Sequence, residues 1–242
     1  MTLLLLSGTS EAKEISKALE GLQIPAIASL SGATRAPRPT GLPTRVGGFG
    51  GNEAFRTYLR REGIKAVLDA THPFASHVSC RSVRICAEEE VPYCQVLRPE
   101  WKPQPGDDWT VLKCEEDAAR YIRPGATVFL ATGRQTLPRF ANLVQCRLIC
   151  RQIDPPEGAF PFPNGEFLVG RPPFSVQEEM DLFQRLGVDW LVVKNAGGTA
   201  ARSKLDAARQ LGLPVAMIAR PVQPKEPKVT TAAAALDWVA AL

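Results

Sequence analysis

Four short segments combine glycine, hydroxyl and cationic residues in an order suited to holding an anion. They are Ser7-Gly8-Thr9-Ser10, Asp69-Ala70-Thr71-His72, Thr132-Gly133-Arg134 and Lys194-Asn195-Ala196-Gly197-Gly198-Thr199. Each ends a short apolar run and precedes a helical pattern. Backbone N–H groups exposed at a helix start, reinforced by the helix dipole, bind phosphate or carboxylate. The first segment reads either as a seat for a dinucleotide pyrophosphate or as an ordinary capped turn, because it has one glycine where G-x-G-x-x-G has three. In the last, Lys194, Asn195, Arg202 and Lys204 surround one helix start, which suits an anionic substrate; a glycine-rich turn beside a solvated helix face is the alternative.

Three further features bear on chemistry. The stretch after the second apolar run, with Ser31, Gly32, Thr34 and Arg35, lacks the acidic residue that holds the ribose hydroxyls of NAD. It offers donors suited to a 2′-phosphate, or Arg35 is simply a solvated loop cation. Gly47-Gly48-Phe49-Gly50-Gly51 sets four glycines around one aromatic ring. Either the backbone must approach a flat or phosphorylated ligand closely, or the loop is merely flexible. Both histidines lie in Thr71-His72-Pro73-Phe74-Ala75-Ser76-His77. His72 follows a strand directly and is a candidate general acid or hydrogen-bonding positioner.

The elements that would carry these residues alternate regularly. Strands are expected at 3–6, 24–29, 66–69, 92–97, 128–131, 143–151, 190–194 and 215–219, with a short one at 167–169. Helices are expected after Ser10, which would cap the first, and over 53–61, up to 89, 176–186, 200–211 and 232–242. Strand–helix alternation builds parallel sheets covered on both faces. Prolines and glycines over 98–108 suggest a linker, with the two halves divided between 98 and 125. Ligands in such sheets sit beyond the strands' carboxyl ends, where strand order reverses.

Composition narrows the class. The chain has 242 residues, is 45% hydrophobic and 22% charged, and carries a net charge of +4 from scattered basic residues. That excludes a disordered chain and gives no dense cationic stripe for nucleic acid. None of the six cysteines is paired at CxxC spacing and only two histidines are present, so no metal site is expected. Reduced thiols, the short Leu3-Leu4-Leu5-Leu6 run and the lack of a membrane-spanning stretch lead to an expected cytoplasmic location.

Taken together, GTSEA at 8–12, SLSG at 29–32, RVGGFGG at 45–51, DATHPFA at 69–75, RPEW at 98–101, DDW at 107–109, KNAGG at 194–198, SKLDAAR at 203–209 and the Arg220-Pro221 pair resemble the precorrin-6A reductase family of cobalamin biosynthesis. The resemblance runs over essentially the whole chain. It implies an α/β protein of two Rossmann-like, doubly wound parallel-sheet domains with the active site in the cleft between them. Residues 1–98 would bind NADPH/NADP and residues 99–242 the substrate. The implied activity is reduction of precorrin-6A, or its cobalt-bearing form, by hydride transfer to C19.

By resemblance, the cofactor would meet Gly8, Thr9, Ser10, Glu11, Ser31, Gly32, Gly47, Gly48, Phe49 and Gly50. Arg35 joins this set through the 2′-phosphate argument, although the family's arginine directly after Ser-Gly is Ala33 here. Thr71, His72, Pro73 and Phe74 would lie where nicotinamide and macrocycle meet, His72 as a positioner. Arg98, Trp101, Gly133, Arg134, Lys194, Asn195, Gly197, Gly198 and Lys204 would face the substrate. Phe49, Phe74, Trp101 and Trp109 are candidate flat walls for the ring or ordinary core. Two departures stand out: Ala196 replaces a serine, and Arg171-Pro172-Pro173-Phe174 replaces Gly-Pro-Phe. The implied partners are the small-molecule tetrapyrrole and other enzymes of the pathway, without nucleic acid or membrane. A tetrapyrrole carrier without reductase activity, or an NADP-dependent reductase of another acidic substrate, are the competing functions.

Overall fold

The computed structural model describes residues 2–32, 39–225 and 227–242. Arg35, expected near the cofactor, lies outside the described residues. The chain divides into a first unit of residues 1–99 with 221–242 and a second of residues 100–220.

The first unit carries a six-stranded sheet of β1 (Thr2–Ser7), β2 (Ala26–Leu30), β3 (Thr44–Val46), β4 (Ile64–Ala70), β5 (Tyr93–Val96) and β12 (Lys228–Val229). Every pairing is parallel, in the order β3-β2-β1-β4-β5-β12. Side chains alternate across a strand, so the leucine run of β1 splits. Leu3 and Leu5 face α1 (Ser10–Gly21) and α6 (Ala232–Ala240), packed with Ile15, Leu19, Ala235 and Val239. Leu4 and Leu6 face α2 (Asn52–Arg61) and α3 (Ser76–Glu88), packed with Phe55, Leu59 and Ile85.

The second unit repeats the plan with β6 (Trp109–Leu112), β7 (Thr127–Leu130), β8 (Arg147–Gln152), β9 (Gly165–Val169), β10 (Trp190–Lys194) and β11 (Val215–Ile218). All are parallel, in the order β9-β8-β7-β10-β11-β6. Helices α4 (Val176–Leu186) and α5 (Ser203–Leu211) cover one face, joining Phe183, Leu205 and Ala208 to Phe129, Leu191 and Val193. A capping box of Ser175 and Glu178 starts α4, and Gly187 ends it in the left-handed conformation. Short 3-10 segments, Glu115–Arg120 and Arg134–Leu143, follow β6 and β7.

Both sheets have the Rossmann strand order, but their sixth strands are exchanged in sequence. β6 follows β5 in the chain yet pairs with β11, whereas β12 follows β11 yet pairs with β5. The expected boundary, with residues 99–242 forming one domain, is corrected accordingly. Residues 221–242 return to the first unit because the apolar face of α6 packs beside Ile15 and Leu19 of α1. The expected linker is also packed: Asp107 is ion-paired to Arg209 at 2.8 Å, and Trp101 is buried. The first helix is capped by Thr9, not Ser10; the Thr9 hydroxyl accepts the Ala12 N–H at 3.2 Å. All six cysteines are free thiols. Among the described residues no helix is long and apolar enough to cross a membrane.

Candidate functional site

In each sheet the strand order reverses at one point, between β1 and β4 in the first unit and between β7 and β10 in the second. These are where α/β sheets bind ligands. The four anion-suited segments flank these points in two pairs, after β1 and β4 and after β7 and β10.

In the first unit, the turn after β1 meets the loop after β4. The Thr9 hydroxyl donates to the Ala70 carbonyl at 2.9 Å. Gly8 packs against the same loop: a Cβ there would lie 3.4 Å from the His72 backbone nitrogen, in ordinary van der Waals contact. Glu11 sits in the first turn of α1, where its carboxylate accepts from Ser10 Oγ at 3.1 Å and from Arg98 at 2.7 Å. Burial alone would raise its pKa, but its own amide N–H and the Arg98 charge outweigh that and hold it below the ordinary value. Arg98, expected on the substrate, is therefore paired beside the expected cofactor turn.

The loop after β4 is held from below by a buried carboxylate. Asp69 accepts from Thr71 N at 3.0 Å, Thr71 Oγ1 at 2.7 Å and Tyr93 Oη at 2.7 Å. Burial, then the negative charge of Asp69, push the Tyr93 pKa up and keep it a donor. His72 Nδ1 accepts the Phe74 N–H at 3.3 Å, which places the ring proton on Nε2 and orients the ring. Gln223, from the returning C-terminal segment, donates to the Pro73 carbonyl at 2.9 Å.

At the ends of β2 and β3, Arg45 donates to Ser29 Oγ and the Gly47 carbonyl at 2.8 Å each, and to the Gly48 carbonyl at 3.1 Å. Its guanidinium lies 3.9 Å from the centroid of Phe49, whose ring makes edge contacts with Phe55 and Tyr58. Phe49 thus packs, half-buried, on the α2 core under Arg45. Gly47, Gly50 and Gly51 have φ of +109°, +83° and +112°, so backbone conformation already explains three of the four glycines. Gly48 is the remaining one: its backbone does not demand glycine, and a Cβ there would meet nothing within 4 Å. Ser31 and Gly32 are exposed beside this loop.

In the second unit, Lys194 ends β10 and donates to the Thr132 carbonyl at 3.1 Å and Thr136 Oγ1 at 3.4 Å. Glu115 approaches it to 4.0 Å, and Arg139 pairs with Glu115. Burial lowers the Lys194 pKa, and the Glu115 charge opposes that. Gly133 and Arg134, on the loop after β7, begin the 3-10 segment directly beside Thr132. Gly197 and Gly198 take left-handed backbone, with φ of +67° and +77°.

Asn195 and Trp101, both expected on the substrate, hold each other. Trp101 N donates to Asn195 Oδ1 at 2.9 Å and Asn195 Nδ2 donates to the Trp101 carbonyl at 3.0 Å. The Trp101 indole N–H donates to the Gly198 carbonyl at 2.6 Å, and the ring lies in the core. Their buried polar groups brace the 194–198 loop, and of the two readings of Trp101 the ring takes the core one. Trp109 likewise packs on that core. Arg220 completes the brace, donating to the carbonyls of Asn195 at 2.7 Å and Ala196 at 2.9 Å. Lys204, the second residue of α5, donates to the Ala201 carbonyl at 2.6 Å, and burial pushes its pKa down to about 8.

Spacing alone gave no signal for Arg45, Asp69–Tyr93, Gln223 or Glu115–Arg139 as site supports. Arg45, Asp69 and Arg220 lie in segments singled out above, but the contacts that make them supports join residues distant in sequence.

The family profile described as "Precorrin-6x reductase CbiJ/CobK" matches residues 2–240. The chain is 42% identical to the precorrin-6A reductase of Rhodobacter capsulatus, covering 98% of this chain and 95% of that one. It is 39% identical to that of Rhodococcus erythropolis, covering 99% and 98%. A solved structure titled "CobK precorrin-6A reductase" superposes with a TM-score of 0.96 at 41% identity, covering 100% of this chain and 96% of that one.

Proposed function

The chain belongs to the precorrin-6x reductase family, and from that premise we propose that it reduces precorrin-6A with NADPH, delivering hydride to C19 to give precorrin-6B. Membership makes it an oxidoreductase of cobalamin biosynthesis that acts on a tetrapyrrole with a nicotinamide cofactor. Identity of 42% to a precorrin-6A reductase, against 27% to the cobalt-precorrin-6A reductase of Priestia megaterium, favours the metal-free substrate.

The observation that carries the cofactor assignment is the closed junction of the Gly8-Thr9 turn with the 70–73 loop at the switch point of the first sheet. The donor set there fits a dinucleotide: hydroxyls, an α1 N-terminus, and a Gly48 whose missing side chain leaves open space. Gly8, Thr9 and Ser10 would take the pyrophosphate. Arg98 neutralises Glu11, so this carboxylate does not repel phosphate at the same helix start. Ser31, Gly32 and Arg35 would meet the ribose end, with Arg45 fixing the 47–50 backbone beside it. When bound, the nicotinamide supplies the hydride. Thr71, His72, Pro73 and Phe74 form the edge against which it would be held, kept rigid by Asp69 and Gln223. His72 acts as a positioner through Nε2–H.

In the second unit, Arg134, Lys194, Lys204 and the backbone of Gly133, Gly197 and Gly198 would receive the carboxylates of the macrocycle. Asn195 and Trp101 serve by shaping that loop. Mixing purified protein with NADPH and precorrin-6A should remove the absorbance of the reduced cofactor, faster than with NADH. No oxidation in the presence of authentic substrate overturns the assignment.

A further inference from the structure

A hollow of about 170 Å³ opens beside the end of β8 and the start of α5 in the second unit. Its lining includes Gln152, Lys204, Ser203 and Phe174. Gln152 is the last residue of β8 and only 7% exposed, yet neither its Nε2 nor its Oε1 has a hydrogen-bond partner. Leaving a buried polar group unpaired forfeits its hydration with nothing in return, so a carboxamide placed here calls for a partner. An apolar residue would fill a strand end without that penalty.

The charges at the same wall point to the sign of that partner. Arg151 and Glu179 form a buried two-bond pair at 2.8 Å and 2.8 Å, with Arg151 stacked 4.5 Å from the Phe174 ring centroid. That pair is neutral. Lys204 adds one positive charge, and its contact with the Ala201 carbonyl uses one of three ammonium hydrogens. Burial destabilises this ammonium, Arg151 adds to the effect, and Glu179 only opposes it. The three ionised groups together carry +1, which one carboxylate would balance. The volume is below the roughly 300–1,000 Å³ of sites that enclose a drug-sized ligand, so the hollow suits a side arm and not a ring.

We propose that this hollow is a subsite for one acetate or propionate arm of the tetrapyrrole, with the carboxylate accepting from Gln152 Nε2 and Lys204 Nζ and the arm lying against Phe174. It rests on the proposal above that the second unit receives a polycarboxylate macrocycle, and it names how one arm is recognised.

Two probes separate the two ideas. The first is propionate itself, tested for protection of Lys204 against acetic anhydride, with the modified site mapped by mass spectrometry. Protection is expected in the wild type and should be lost in Gln152→Leu and in Gln152→Met, the second variant guarding against a folding defect in the first. The second probe is uroporphyrin, a tetrapyrrole with acetate and propionate arms, followed by quenching of tryptophan fluorescence. Gln152→Leu should weaken it roughly tenfold or more, the range for a hydrogen bond to a charged group. Its methyl ester should bind wild type and variant alike. Failure of propionate to protect Lys204 overturns the subsite even if uroporphyrin binds. Protection by propionate without any uroporphyrin binding overturns the macrocycle assignment and leaves a simple carboxylate site.

Discussion

Replacing Lys204 with methionine should remove a rise in stability on the alkaline side of neutrality. In the folded chain burial, reinforced by Arg151, lowers the pKa of this ammonium from 10.5 to about 8. Between those values the unfolded chain holds the proton and the folded chain does not. The unfolded state thus binds more protons, and stability climbs with pH across that window. At about 1.4 kcal/mol per pKa unit, the protonated lysine costs folding about 3 kcal/mol near neutrality. About 2.5 kcal/mol of this returns between roughly pH 7 and pH 10 as the folded form loses the proton. Urea unfolding at these two pH values measures it, with tryptophan fluorescence as the signal because Trp101, Trp109 and Trp190 all belong to the second unit. The wild type should gain about 2.5 kcal/mol relative to Lys204→Met over that interval. A difference that stays constant to within about 0.5 kcal/mol would show that Lys204 titrates like a surface lysine, and the buried-ammonium argument would fail.

Three other substitutions probe separate parts of the molecule. Gly48→Val should leave the melting temperature nearly unchanged, since a Cβ there meets no protein atom within 4 Å, while weakening NADPH at least about tenfold in a titration. Unchanged cofactor affinity would remove the 47–50 loop from the cofactor site. Lys194→Ala should weaken the tetrapyrrole and leave NADPH binding intact by calorimetry; the opposite pattern would mean that the ligands are assigned to the wrong units. Tyr93→Phe removes a donor from fully buried Asp69 and should destabilise the first unit by about 1–3 kcal/mol, read from the fluorescence of Trp238.

Much of the architecture was legible because its signals are local. The leucine run of β1, the helical pattern of α4 and the strand Trp190–Lys194 announce themselves within a few residues. β3 and β6 did not: each is three or four residues long, and β3 reads as part of a glycine loop. Which sheet an edge strand joins is invisible to periodicity, so β12 and α6 were assigned to the wrong half. The candidate site was legible at its glycines and cations, because Gly197 and Gly198 take left-handed backbone and Lys194 stands at a strand end. Its supports were not. The Asn195–Trp101 clamp and the Tyr93–Asp69–Thr71 network are made of ordinary residues brought together only by tertiary folding.

The exchanged sixth strands set an unusual timetable for the nascent chain. When β5 has left the ribosome, the first sheet still lacks β12, and the α1 surface that Ala235 and Val239 will cover is bare. Residues 100–220 are contiguous and hold all six strands of their own sheet, so they can mature as soon as β11 emerges. The part translated first is then completed last, against the usual amino-to-carboxyl order of co-translational folding. A ribosome that stopped after residue 220 would release a finished second half joined to a first half with an open β5 edge, a ready target for aggregation and quality-control proteases.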